Sequence, residues 1–118
     1  MIDRLFARGL LLAAIAAFFL MPVAMAWAET GEASVYGNEH GQWRRADGKR
    51  FIPSEIVCAH RTRKLGSVPR VTNLANGRSI LCPIRDRGPA AWTHRVLDLS
   101  FGAARALGVR GLARVRID

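Results

Sequence analysis

An Asn76-Gly77 step set between two strand-like runs, residues 68–74 and 78–84, constrains this chain more than any other feature. Gly supplies the positive φ of a tight antiparallel reversal, and the flanking apolar residues supply its arms, so the spacing predicts a β-hairpin. The rest of the chain beyond residue 30 has the same texture of short apolar runs punctuated by Gly, Pro and Asn, which predicts an all-β domain. A strand is expected over 31–37, where Ala33 and Val35 alternate with polar neighbours, and a short one over 56–60; the polar, Gly-rich stretch 38–50 reads as a surface loop. Pro83 cannot donate to a ladder, so an edge or bend is predicted inside the second hairpin arm. Asp86-Arg87-Gly88-Pro89 reads as a turn and 95–99 as a strand. Ser100 should cap a short helix with Phe101, Ala104 and Leu107 on one face and Gly108 as its stop. Finally, Ala113, Val115 and Ile117 alternate with Arg114, Arg116 and Asp118, the pattern of a half-buried strand.

The first 28 residues read as an address rather than as part of this fold. Arg4 and Arg8 precede an apolar stretch over 10–25, which runs into Ala24-Met25-Ala26 and Ala26-Trp27-Ala28, both small-x-small patterns. That is the signature of a secretory signal peptide, with cleavage expected after Ala28; the alternative is an uncleaved anchor. Residues 29–118 would then form the single mature domain, with 16 basic against eight acidic residues, a net charge of +8. Such a charge suits a polyanionic partner, and export makes a wall or membrane surface the expected one rather than nucleic acid. No cysteine follows a cleavage site, so a soluble periplasmic or envelope protein is expected, not a lipoprotein, touching the membrane only through its signal peptide and remaining a monomer. The only two cysteines, Cys58 and Cys82, should form one disulfide in an oxidising compartment. A metal site is not expected, because no Cys-x-x-Cys occurs and His40, His60 and His94 are widely spaced.

Three segments carry a resemblance. They are Gly31-Glu32-Ala33-Ser34-Val35-Tyr36-Gly37; Ala59-His60-Arg61-Thr62 with the run 70–79; and Asp86-Arg87-Gly88-Pro89 with the run 97–108. In this order they resemble the rare lipoprotein A family of septal lytic transglycosylases. The resemblance implies a six-stranded double-psi β-barrel, all-β with one short helix. It further implies a lyase acting on peptidoglycan glycan strands: the bond between N-acetylmuramic acid and N-acetylglucosamine is cleaved by the sugar's own 6-hydroxyl, leaving a 1,6-anhydro end. No water enters and no cofactor is implied. One carboxyl group can serve as proton donor and then as base.

Carried over by position, the family's Asp matches Asp86 and its His matches His60, the expected catalytic pair. Tyr36, Arg61, Arg87 and Trp92 are expected to line the substrate groove. Where the family has Asn-Gly-Glu, this chain has Asp47-Gly48-Lys49, and Val35 replaces an aromatic before Tyr36. Asp47 or Glu55 would replace the lost carboxylate only if a loop delivers it into the groove. Each candidate also has a plainer reading: Asp86 as a turn former, His60 as a structural histidine, Trp43 and Trp92 as packing residues, the Arg61, Arg63, Lys64 cluster as a solvated face. Lys49 favours an alternative function, a catalytically weakened, expansin-like glycan-binding or wall-loosening module. A basic structural protein that binds wall polymer or lipid would need neither Asp86 nor His60.

Overall fold

The computed structural model describes residues 28–37 and 44–118; the expected signal segment up to residue 27, and Trp43, lie outside the described residues. Seven strands appear in it: β1 (Glu29–Val35), β2 (Cys58–Ala59), β3 (Arg70–Asn73), β4 (Ser79–Leu81), β5 (Ile84–Asp86), β6 (Leu97–Leu99) and β7 (Ala113–Ile117). A 3-10 turn (Ala91–Thr93) precedes β6, and helix α1 (Phe101–Leu107) follows it. The sheet order is β4-β3-β7-β1-β6-β2-β5, with β1 parallel to β6 and β2 parallel to β5. No described helix is long and apolar enough to cross a membrane.

The predicted hairpin is β3 and β4, paired from Arg70↔Leu81 to Thr72↔Ser79, with Gly77 at φ 77° closing the turn. Its second arm breaks at Pro83, and the two pieces become β4 and β5 at opposite ends of the sheet order. The hairpin nevertheless continues past the break: Cys82 N donates to Pro69 O (3.0 Å) and Ile84 N to Ser67 O (2.8 Å). The segment that leads into β3 thus pairs with β5, and the curled sheet closes on itself. Seven strands appear where six are expected because Pro83, which lacks an N–H, divides one long bent strand in two.

Inside the curl, Ala33, Cys58, Val71, Ile84, Leu97, Leu99, Val115 and Ile117 are all buried, and α1 lays Ala103, Ala104 and Leu107 against them. Each fully buried large aliphatic side chain contributes roughly 1.5–3 kcal/mol. The final strand buries Val115 and Ile117 and exposes Arg114 and Arg116, as its alternation predicts. Ser100 caps α1 by accepting from Ala103 N (3.1 Å), and Gly108 ends it in the left-handed region. Phe101 departs from expectation: it is exposed, and Ala103 takes its place on the buried face. The helix start also seats closely on the 53–55 segment: Gly102 N donates to Pro53 O (2.9 Å), and a Cβ on Gly102 would clash with Ser54 O. The Cys58–Cys82 disulfide, with Cα atoms 5.9 Å apart, ties β2 to the corner between β4 and β5.

Candidate active site

Cross-strand register builds the site. Ser34 pairs with Asp98 across β1 and β6, and Asp98 pairs with Ala59 across β6 and β2. Paired residues share a face, so these three form a row on the side opposite Leu97 and Leu99, which point into the core. Ala59 also lies opposite Asp86, because the β2–β5 pairing shifts register between Cys58 and Ala59. Regular alternation would send Asp86 to the core face with Ile84; the shift brings it beside Ala59 instead. Two carboxylates therefore flank a methyl floor, their backbones about two strand spacings, or roughly 10 Å, apart along a flat sheet. Ser34 Oγ donates to Asp98 Oδ1. The turn after Asp86 folds back over Asp98, where a Cβ on Gly88 would lie 3.3 Å from Oδ2.

Tyr36 closes one end of this row. Its N–H donates to Leu99 O (2.9 Å), and its ring lies 5.0 Å from that of Phe51, centroid to centroid. Gly37 permits this packing, since it has φ 124° and any Cβ there would strike the Phe51 ring. Burial, then the charges of Asp86 and Asp98, push the Tyr36 hydroxyl well above the ordinary tyrosine range, with Arg45 opposing and Asp47 adding. A phenol in sight of two carboxylates stays neutral and remains a proton donor.

A further wall is the turn 44–50, closed by an Arg44↔Arg50 bridge and by Gly48 N to Arg45 O (2.9 Å). Arg45 is buried within it and grips Asp47 with two bonds of 3.0 Å, while reaching Glu55 at 3.4 Å. Burial of Asp47 opposes its ionisation, but the Lys49 amide, Arg45 and Arg85 outweigh this and hold its carboxyl below the usual aspartate range. Both carboxylates considered as replacements for the family's Glu are thus engaged by Arg45. The turn instead offers a backbone group: Ala46 N donates to Asp86 Oδ1 (3.0 Å), joined there by Arg87 N (2.9 Å). No bond reaches Asp86 Oδ2 among the described residues.

His60 is buried, and both of its ring nitrogens bond groups other than that carboxylate. Nδ1 accepts from Thr62 N (3.1 Å) and Arg63 N (3.0 Å), so the ring proton lies on Nε2, which donates to Glu29 Oε1 (2.7 Å). Its link to Asp86 runs through the backbone, His60 N to Asp86 O (3.2 Å), and through Arg87, whose Nη1 donates to His60 O and Arg63 O. Arg61 Nη1 donates to Pro89 O (3.0 Å) and Arg95 O (2.7 Å), stapling both ends of the connection that carries Trp92. Trp92 itself is 81% exposed. Arg61 and Arg87 therefore hold backbone, whereas Trp92 offers an open ring face.

Asp98, Ser34 and Arg45 are the participants that sequence reasoning missed. An acid between Leu97 and Leu99 is the signal that pointed to Asp98: alternation puts it on the face away from the core. Among the described residues, no three His, Cys, Asp or Glu side chains cluster as a metal site would require.

Comparison with known proteins places this geometry in a family context. Residues 28–117 match the double-psi β-barrel family described as lytic transglycolase. The probable endolytic peptidoglycan transglycosylase RlpA of Nostoc sp. is 49% identical over 92 residues, covering 75% of this chain and 24% of that protein. The endolytic peptidoglycan transglycosylase RlpA of Pseudomonas aeruginosa PAO1 is 42% identical over 104 residues, 86% of this chain and 30% of its own length. Its counterpart in Escherichia coli K12 is 41% identical over 92 residues, 78% of this chain and 25% of that one. The chain thus spans about a quarter to three tenths of the length of these relatives. Among solved structures, Streptomyces papain inhibitor superposes with a TM-score of 0.56 over 80% of this chain and 96% of its own, at 23% identity, a likeness of fold.

Proposed function

The chain belongs to the double-psi β-barrel family of lytic transglycolases, and on that premise we propose that it cleaves peptidoglycan glycan strands between N-acetylmuramic acid and N-acetylglucosamine, leaving 1,6-anhydro ends. The observation that carries this reading is the pair Asp86 and Asp98 facing each other across Ala59 with Tyr36 at their side. Protonated Asp86 gives its proton to the glycosidic oxygen as that bond breaks. Ionised Asp86 then takes the proton of the 6-hydroxyl as its oxygen bonds to C1, which restores the acid and consumes no water. Asp98, held by Ser34, opposes the positive charge that develops at C1. Tyr36 positions sugar hydroxyls, and Trp92 stacks on a ring further along the strand. His60, Arg61 and Arg87 are positioning residues: His60 fixes the 60–63 turn, Arg87 hangs from that turn, and Arg61 holds the Trp92 connection. Export through residues 1–28 would place the domain in the periplasm, where its substrate lies.

Sacculi incubated with the protein, followed by mass spectrometry of the released fragments, test the reaction. Anhydro-muropeptides are expected from the parent, and Asp86→Asn should lower their release by about 10²–10⁴-fold with the fold intact. Undiminished release by Asp86→Asn would overturn the role of Asp86. A second reading, a wall-loosening module without net cleavage, is favoured by Lys49 in place of the family's Glu; strand binding without anhydro product from the parent would establish it.

A further inference from the structure

Beside Asp86 the turn 44–50, the 52–57 segment and β5 enclose an open groove of about 470 Å³. Arg45, Lys49, Arg50 and Arg85 line it, against Glu55 as the one acidic residue. Arg45 is neutralised by Asp47 and Glu55, and Glu55 is thereby engaged as well. Lys49, Arg50 and Arg85 have no carboxylate within ion-pair distance among the described residues. The four cations therefore outnumber Asp47 and Glu55 by two, with Lys49 and Arg50 exposed and Ile52 and Ile56 as an apolar side. It shares elements with the site: Arg85 precedes Asp86 in the chain, Arg85 O accepts from Asp47 N (3.3 Å), and Ala46 of the same turn bonds Asp86.

We propose that this groove is an anion subsite that takes a carboxylate carried by the muramic acid side of the glycan strand. The inference rests on the proposed substrate and deepens it. N-acetylglucosamine is neutral, whereas the 3-O-lactyl group of N-acetylmuramic acid ends either in a free carboxylate or in a peptide with carboxylates of its own. An excess of positive charge beside the cleavage point fixes which sugar lies on which side of Asp86, so the charge sets the direction in which the strand is read. Lys49 then has a positive role: where the family carries an acid, this chain carries a counter-ion for substrate.

Binding, measured apart from turnover, tests the subsite. In the Asp86→Asn background, titration calorimetry at low salt would compare three probes: a neutral chitooligosaccharide, a peptide-free muramyl oligomer and a peptide-bearing one. The acidic oligomers should bind more tightly than the neutral one. Lys49→Gln with Arg50→Gln, both at exposed positions without side-chain partners among the described residues, should weaken the acidic oligomers by about tenfold and leave the neutral one unchanged. Preference for the peptide-free oligomer assigns the lactyl carboxylate, and preference for the peptide-bearing one assigns the stem peptide. Equal affinity of the double variant and its parent for the acidic probes would overturn the subsite, as would equal binding of neutral and acidic probes by the parent. Charge-dependent binding together with an absence of anhydro product from the protein with Asp86 intact would instead remove the cleavage reaction and keep the subsite.

Discussion

Asp98 is placed by ladders on both sides of it and Ser34 by the ladder to Asp98, whereas Lys49, Arg50 and Trp92 are placed by side chains that grip backbone or acids from a distance. On the strand side, a displacement of Asp98 would require β6 to slip against β1 and β2 together, which would turn Leu97 and Leu99 out of the core. On the loop side, the turn 44–50 depends on Arg45, and the Trp92 connection on one nitrogen of Arg61. On the proposed function the difference divides labour: chemistry that needs fixed geometry would sit on the sheet, and recognition on connections whose change costs the barrel little.

The largest test breaks the strand side. Cys58→Ser with Cys82→Ser removes the tie between β2 and the β4–β5 corner, and should lower unfolding stability by about 3 kcal/mol, read by urea titration against the oxidised parent. Activity at low urea should survive, because the register around Asp98 does not depend on the bridge.

Next comes the loop side. Arg45→Gln leaves Asp47 and Glu55 without their cation and should destabilise the turn by about 2 kcal/mol, seen as faster amide exchange over 44–50 with little change in the barrel strands. Uniformly faster exchange across all strands would show that the two halves are one cooperative unit.

Acid provides a gentler version of the same experiment. Since the Asp47 carboxyl titrates below its ordinary value in the folded protein, its contribution is fully present above about pH 4 and disappears as pH falls through the depressed folded value. The turn should therefore loosen below pH 4 in the parent, and Asp47→Asn should remove that pH dependence.

The smallest effect belongs to Trp92. Its replacement by Ala should weaken glycan binding by about 0.5–1.5 kcal/mol while leaving stability unchanged, because the ring packs on almost nothing.

Local signals made much of the fold legible. Asn76-Gly77, the Ser100 cap with Gly108, and the alternation from Ala113 to Ile117 each act over a few residues, and each forms as its chemistry predicts. The disulfide was legible because two cysteines allow only one pairing. What stayed hidden is long-range. His60 finds Glu29 from 31 residues away, and Ser34 finds Asp98 from 64; parallel pairings leave no trace in either local sequence. Asp86 joins Asp98 only through a register shift, which periodicity cannot foretell.

The seam where the curled sheet closes has a consequence for how copies of this protein meet. Residues 66–69 lie along residues 82–84, which lead into β5, and both partners there include a proline, Pro69 and Pro83, that can offer no N–H to a neighbour. A closed, proline-marked seam denies other chains a template. Should the 66–69 segment lift away, β5 would present a free margin that the same segment of a second copy fits as well as its own does. Damage at this place would therefore express itself as strand exchange between molecules, and dimers on a sizing column would appear before any loss of β-structure.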